Sequence, residues 1–143
     1  MQLDQVSITK LKRFISTHSA AEPVIDNHNR FIRIKSYIVE QDTNDWMVTH
    51  QGNVIVRFGY RSWAVAWAVA MVNNDLSTCA FLVKNNQQIE KLNSDRALYH
   101  YYLKNTTDET KHRILEDRVA KAEKDLDELI WDTHQVMRYQ GFV

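Results

Sequence analysis

One cysteine, one proline and three glycines stand in a chain of 143 residues. The lone thiol, Cys79, excludes an internal disulfide and any zinc site built on paired cysteines, and it points to a reducing, intracellular setting. The glycines, Gly52, Gly59 and Gly141, are isolated. They form no Gly-rich phosphate loop and no Gly-x-Ser-x-Gly nucleophile elbow. No apolar run approaches the roughly 18 residues of a membrane span. The start, Met1-Gln-Leu-Asp-Gln5, has neither the basic residues nor the apolar stretch of a signal peptide, so a soluble, cytoplasmic protein is expected. Net charge is lacking too: 18 basic residues balance 18 acidic ones. Residues 1–74 carry +2 and residues 75–143 carry −2, too small a split to draw nucleic acid or an anionic membrane by charge alone.

What is present is periodicity. Leu115, Val119, Ala122, Leu126, Leu129, Thr133 and Val136 follow one another at alternating steps of four and three. That spacing predicts a long helix over 107–139 packed along its length on another helix. Residues 76–104 supply the partner, with Leu82, Ile89, Leu92, Tyr99 and Leu103 at or near the same spacing and Asn86 and Arg96 between them. The short connection at Asn105-Thr106 makes the two helices antiparallel neighbours, and Thr106-Thr-Asp-Glu109 reads as a capping box. At 1.5 Å per residue each arm is about 43–50 Å long, so the far end of the hairpin should project past a small sheet.

The N-terminal half reads differently. Leu3, Val6, Leu11, Phe14 and Ile15 suggest a short helix that ends before Pro23. Asp26-Asn-His-Asn29 then turns into Phe31–Val39, expected to be one half-buried strand. Further strands follow at Trp46–His50 and Val54–Phe58, joined through Gly52 as a hairpin. Ser62 is the expected N-cap of an all-apolar helix over 63–72, which should cover the sheet. The fold class is therefore α+β in a single domain, 1–143. Residues 1–74 make an N-terminal helix and a three-stranded antiparallel meander with its covering helix, and residues 75–143 make a long antiparallel helical hairpin.

Catalytic and metal-binding patterns are thin. Six histidines are scattered through the chain, and Glu109-Thr-Lys-His112 occurs once, without the second copy and facing glutamates of a di-metal bundle. Glu128 and Asp132 flank the helical seam and read as solubilising carboxylates, and Cys79 sits among apolar neighbours as an inert thiol. No enzymatic activity, cofactor or metal is expected. Two interaction surfaces are. Arg33, Lys35, Arg57, Arg61 and Tyr60, interleaved with Phe31, Tyr37 and Phe58, could serve single-stranded nucleic acid from an open sheet face. Ile114, Ile130, Trp131, Met137 and Tyr101 are left over from the hairpin seam and could serve self-association or a protein partner. The second is the leading expectation.

The run Trp46-Met-Val-Thr-His-Gln-Gly-Asn-Val-Ile-Val-Arg-Phe58, then Arg61-Ser-Trp-Ala-Val-Ala-Trp-Ala68, with Lys91-Leu-Asn-Ser-Asp95 and Tyr102-Leu-Lys-Asn105, resembles small proteins of marine tailed bacteriophages over roughly residues 45–139. The resemblance implies a viral origin and expression in a bacterial cytoplasm. It carries over no activity and no site residue.

Overall fold

The computed structural model describes residues 7–19, 24–25 and 31–139, with side chains described for 7–17 and 31–135. Leu3, Val6, Pro23, the Asp26–Asn29 turn, Gly141 and the side chains of Val136 and Met137 lie outside those limits. The elements run α1 (Ile8–Ser19), β1 (Val24–Ile25), β2 (Phe31–Ile34), β3 (Tyr37–Asp42), β4 (Asp45–His50), β5 (Asn53–Phe58), α2 (Arg61–Val72), α3 (Leu76–Lys104) and α4 (Glu109–Tyr139). The class is α+β, as expected.

The sheet differs from expectation. It is a four-strand antiparallel meander, β2 to β5, with the two-residue β1 paired along the outer edge of β2. The run Phe31–Val39 is two strands, folded back at Lys35-Ser36 so that Ile34 pairs with Tyr37. Lys35 takes φ 52°, the positive value that tight hairpin turns demand. Thr43 opens the next turn at φ 57°, and Gln51 and Gly52 form the third at φ 53° and 81°. These two-residue turns set the register of β2–β3 and β3–β4, while in β4–β5 a bulge between Val48 and Thr49 shifts it by one residue so that Val48 meets Val56. Ile32, Val39, Val48 and Val56 are partnered in sequence across the sheet, and all point to one face.

That face is covered by α2. Every residue from Ser62 to Ala70 is buried, because α2 packs on β2–β5 on one side and on α1 and α3 on others. An all-apolar helix is stable only in such surroundings. Leu11, Phe14 and Ile15 of α1 close the core from outside, and Ser7 caps that helix through Lys10 N–H. Ser62 is not an N-cap. Tyr60 holds that position without a side-chain bond, and the Ser62 hydroxyl is buried without a hydrogen-bond partner among the described residues.

A tight joint leads from α2 into α3. Asn74 adopts φ 58°, Asn74 N–H bonds Met71 C=O, and Asp75 N–H bonds Ala70 C=O, the pairing of a Schellman stop. Asp75 then caps α3, its carboxylate accepting from the Thr78 hydroxyl at 2.6 Å and the Thr78 N–H at 3.2 Å. Those bonds hold the Asp75 pKa below the usual carboxylate value. The cap is therefore intact above that usual value and is lost as acid titrates the folded state. At the far turn, Asp108 rather than Thr106 does the capping, accepting from Lys111 N–H at 3.1 Å.

The 29-residue α3 and 31-residue α4 pack against each other as an antiparallel hairpin. The expected seam is buried or half-buried from Leu115 through Thr133. Only its base joins the main core, through Cys79, Leu82, Ile89 and Leu126, with Leu92, Leu129 and Ile130 alongside. Two neighbouring asparagines make the polar joints. Asn86 accepts from Gly59 N–H and donates to Arg57 C=O, both at 3.2 Å, while Asn85 donates to the Thr133 hydroxyl at 2.8 Å.

Asn86→Ala should lower unfolding free energy by about 1–3 kcal/mol, the cost of stranding its partners. Ser62→Ala should leave it unchanged or raise it, since no bond is lost. Urea titrations check both, and a Ser62→Ala loss of the size of a missing helix cap would contradict this assignment.

Candidate interaction surfaces

Strand parity decides what the open face of the sheet carries. Residues that pair across strands share a face, which places Phe31, Glu40, Met47 and Arg57 in one outward row and Arg33, Ile38, Thr49 and Val54 in the next. Asp42 and Asp45 pair with each other at its end. The outward face thus holds Arg33 and Arg57 against Glu40, Asp42 and Asp45, and it is not basic. Arg57 is engaged in an exposed ion pair with Asp42, and the Arg33 guanidinium lies 5.9 Å over the Phe31 ring.

The remaining members of that candidate set lie elsewhere. Lys35 is in the β2–β3 turn, at the opposite end of the sheet from the Asp42-to-Asp45 turn beside which Arg57 lies. Arg61 opens α2 with its guanidinium 5.6 Å over the Trp46 ring, and Tyr60 tilts against Trp63 at 5.1 Å. Tyr37 and Phe58 point under α2, where Tyr37 stacks on His50 at 4.5 Å and both rings approach Trp67. The structure does not bring the five residues together, and the aromatics between them belong largely to the helix-covered side.

The hairpin candidates split into two places. Tyr101 and Ile114 sit at the projecting end, 61% and 47% exposed, joined there by Leu98 and Tyr102. The two tyrosine rings meet edge to face at 5.8 Å. A cleft of about 310 Å³ runs between Tyr102, Ile114 and Leu115, rimmed by Lys111 and Arg118. Trp131, 49% exposed, lies 17 residues further along α4, about 25 Å away and roughly a quarter turn round the helix. It stacks at 6.2 Å on His134, and Ile130 packs against the main core. Met137 is outside the described side chains. These residues therefore do not form one face of one helix. Leu98 is the addition at the tip; the tyrosines there are legible in the sequence, since Tyr99, Tyr101 and Tyr102 cannot all face one seam.

Chemistry-bearing groups are dispersed. No group of three or more His, Cys, Asp or Glu among the described residues is placed to hold a metal ion. His112 pairs with Glu116 at 3.1 Å rather than with Glu109. Cys79 is buried, its thiol directed at Trp67 C=O at 3.7 Å. Burial, reinforced by the Asp75 charge, pushes its pKa up to about 11. No helix among the described residues is long and apolar enough to cross a membrane. No protein-family model, curated protein or solved structure matches the chain.

At about pH 8, just below the ordinary thiol range, Ellman's reagent should leave the native protein unmodified and label one thiol per chain after denaturation. Rapid native labelling would show Cys79 to be open to solvent.

Proposed function

We propose that the chain is a non-enzymatic interaction protein whose working part is the projecting end of the α3–α4 hairpin, and that it self-associates there. The observation that supports this reading is the placement of Leu98, Tyr101, Tyr102 and Ile114. They are four of the eight exposed large hydrophobic residues among those described, and they gather at the end farthest from the sheet. The main core includes nothing from the distal stretch of α3 beyond Leu92 or from α4 before Leu126. The main core closes without those turns, and the apolar surface they leave exposed lies outside it. Burying it recovers about 25 cal/mol per Å², and tyrosine suits such a surface because its hydroxyl can stay wet while its ring is covered.

Binding of single-stranded nucleic acid from the sheet ranks below this reading, because its five residues are spread over two ends and two sides of the sheet unit. The setting we propose, following the phage resemblance, is a bacterial cytoplasm.

Light scattering on the full chain tests the proposal. The wild-type mass should rise well above the 16.9 kDa of one chain as concentration increases. Replacing Tyr101, Tyr102 and Ile114 together by serine should hold it at one chain, with the helical signal in circular dichroism unchanged. A wild type that stays at 16.9 kDa up to millimolar concentration would overturn self-association.

A further inference from the structure

One flank of the hairpin carries a groove between α3 and α4 that no described residue covers. It runs along α4 from Arg118 to Asp132, about 21 Å or four helical turns, and along α3 from Gln88 to Tyr99. Its two halves enclose about 410 and 380 Å³ and merge at Leu92, Asp95 and Asp125. The floor is apolar, made by Leu92, Ala122 and Leu129. The half nearer the sheet is walled by Asp95, Asp125, Glu128 and Asp132 against a single cation, Lys91.

These carboxylates are poorly compensated. Glu128 stands 4.0 Å from Lys124, while Asp95, Asp125 and Asp132 have no ion pair among the described residues. The other half has Arg118 and Lys121 on its walls, with the Arg118 guanidinium 5.9 Å over Tyr99. A groove between two packed helices, apolar below and charged along its rims, accepts the ridge of a third helix.

We propose that this groove docks a cationic amphipathic helix of about four turns from a partner protein. Its apolar stripe would lie on Leu92, Ala122 and Leu129, its lysines or arginines would meet the four carboxylates, and uncharged or acidic residues would face Arg118 and Lys121. The inference rests on the hairpin being an interaction element and adds a second contact, on its flank, with a protein other than this chain. Glu116, Glu123 and Asp127 lie about 160–200° round α4 from Asp125 and do not line this groove.

The test uses a labelled synthetic peptide of four helical turns, with a leucine stripe, lysines flanking one half and glutamines the other, read by fluorescence anisotropy. Its twin carries glutamates in place of the lysines. The full chain should bind the lysine peptide at least about tenfold more tightly than the twin, and Asp125→Lys should lower that affinity by a similar factor. Asp132→Lys, at an exposed position, gives the same reading should Asp125→Lys fail to fold. Asp127→Lys, about 200° round the helix from Asp125, should bind as wild type does. No binding, equal binding of the twins, unchanged binding by the groove variants, or an equal loss in Asp127→Lys would each overturn the proposal. A chain that self-associates in light scattering yet ignores the peptide overturns the groove and leaves the hairpin reading in place.

Discussion

Two adjacent side chains, Asn85 and Asn86, fix how α3 meets α4 and how it meets the sheet. Apolar contacts at the hairpin base, from Leu82, Ile89 and Leu126, supply attraction without direction. The amides supply direction. Asn86 offers the end of β5 one acceptor, for Gly59 N–H, and one donor, for Arg57 C=O, much as a residue of a neighbouring strand would. It also donates to the Glu90 carboxylate at 3.3 Å. Asn85 does the same work between the helices. Its amide meets the Thr133 hydroxyl, which donates in turn to Leu129 C=O at 2.8 Å. A polar pair inside an apolar seam specifies register. Sliding α4 by one heptad would set Asn85 against Leu126 and leave a buried amide unpaired, at a cost of about 1–3 kcal/mol.

With both joints set, the rest of the architecture follows. α2 becomes the common floor for the sheet, α1 and the hairpin base, which is why a helix made almost wholly of alanine, valine and tryptophan can be buried nearly all round. Among the described residues the hairpin is anchored to the rest of the fold at one end only. Its distal turns are held by α3–α4 packing, with Val119 and Ala122 buried outside the main core. An arm anchored this way presents its tip and its flanks to whatever approaches, and the proposed roles of both surfaces draw on that geometry.

The sequence made some of this legible and hid the rest for physical reasons. The 76–104 helix was readable to its boundaries because Asn73-Asn-Asp75 and Asn105 are strong punctuation, and the seam of α4 was readable from its spacing. The first hairpin was missed because Lys35-Ser36 has none of the Gly, Asn or Asp that marks a tight two-residue hairpin turn. A subtler signal was there: Ile32 and Ile34 point inward at even positions, Tyr37 and Val39 at odd ones. An unbroken strand keeps one parity, so the change of phase marks a break. The same missing register made the arginines and aromatics of the sheet look like one surface. Ser62 failed as a cap because α2 begins at Arg61, two residues earlier than its apolar run. At the hairpin, exposed residues could be named but not grouped, since Ile114 and Trp131 occupy different sides of α4.

The most direct test of the account is amide hydrogen exchange at Gly59, whose N–H depends on the Asn86 side chain rather than on a strand partner. If α3 is clamped to the sheet through Asn86, this amide exchanges slowly in the wild type and loses that protection in Asn86→Ala while the β4–β5 amides keep theirs. Exchange of Gly59 at the rate of an unprotected glycine in the wild type would contradict the clamp and the orientation of the hairpin that depends on it.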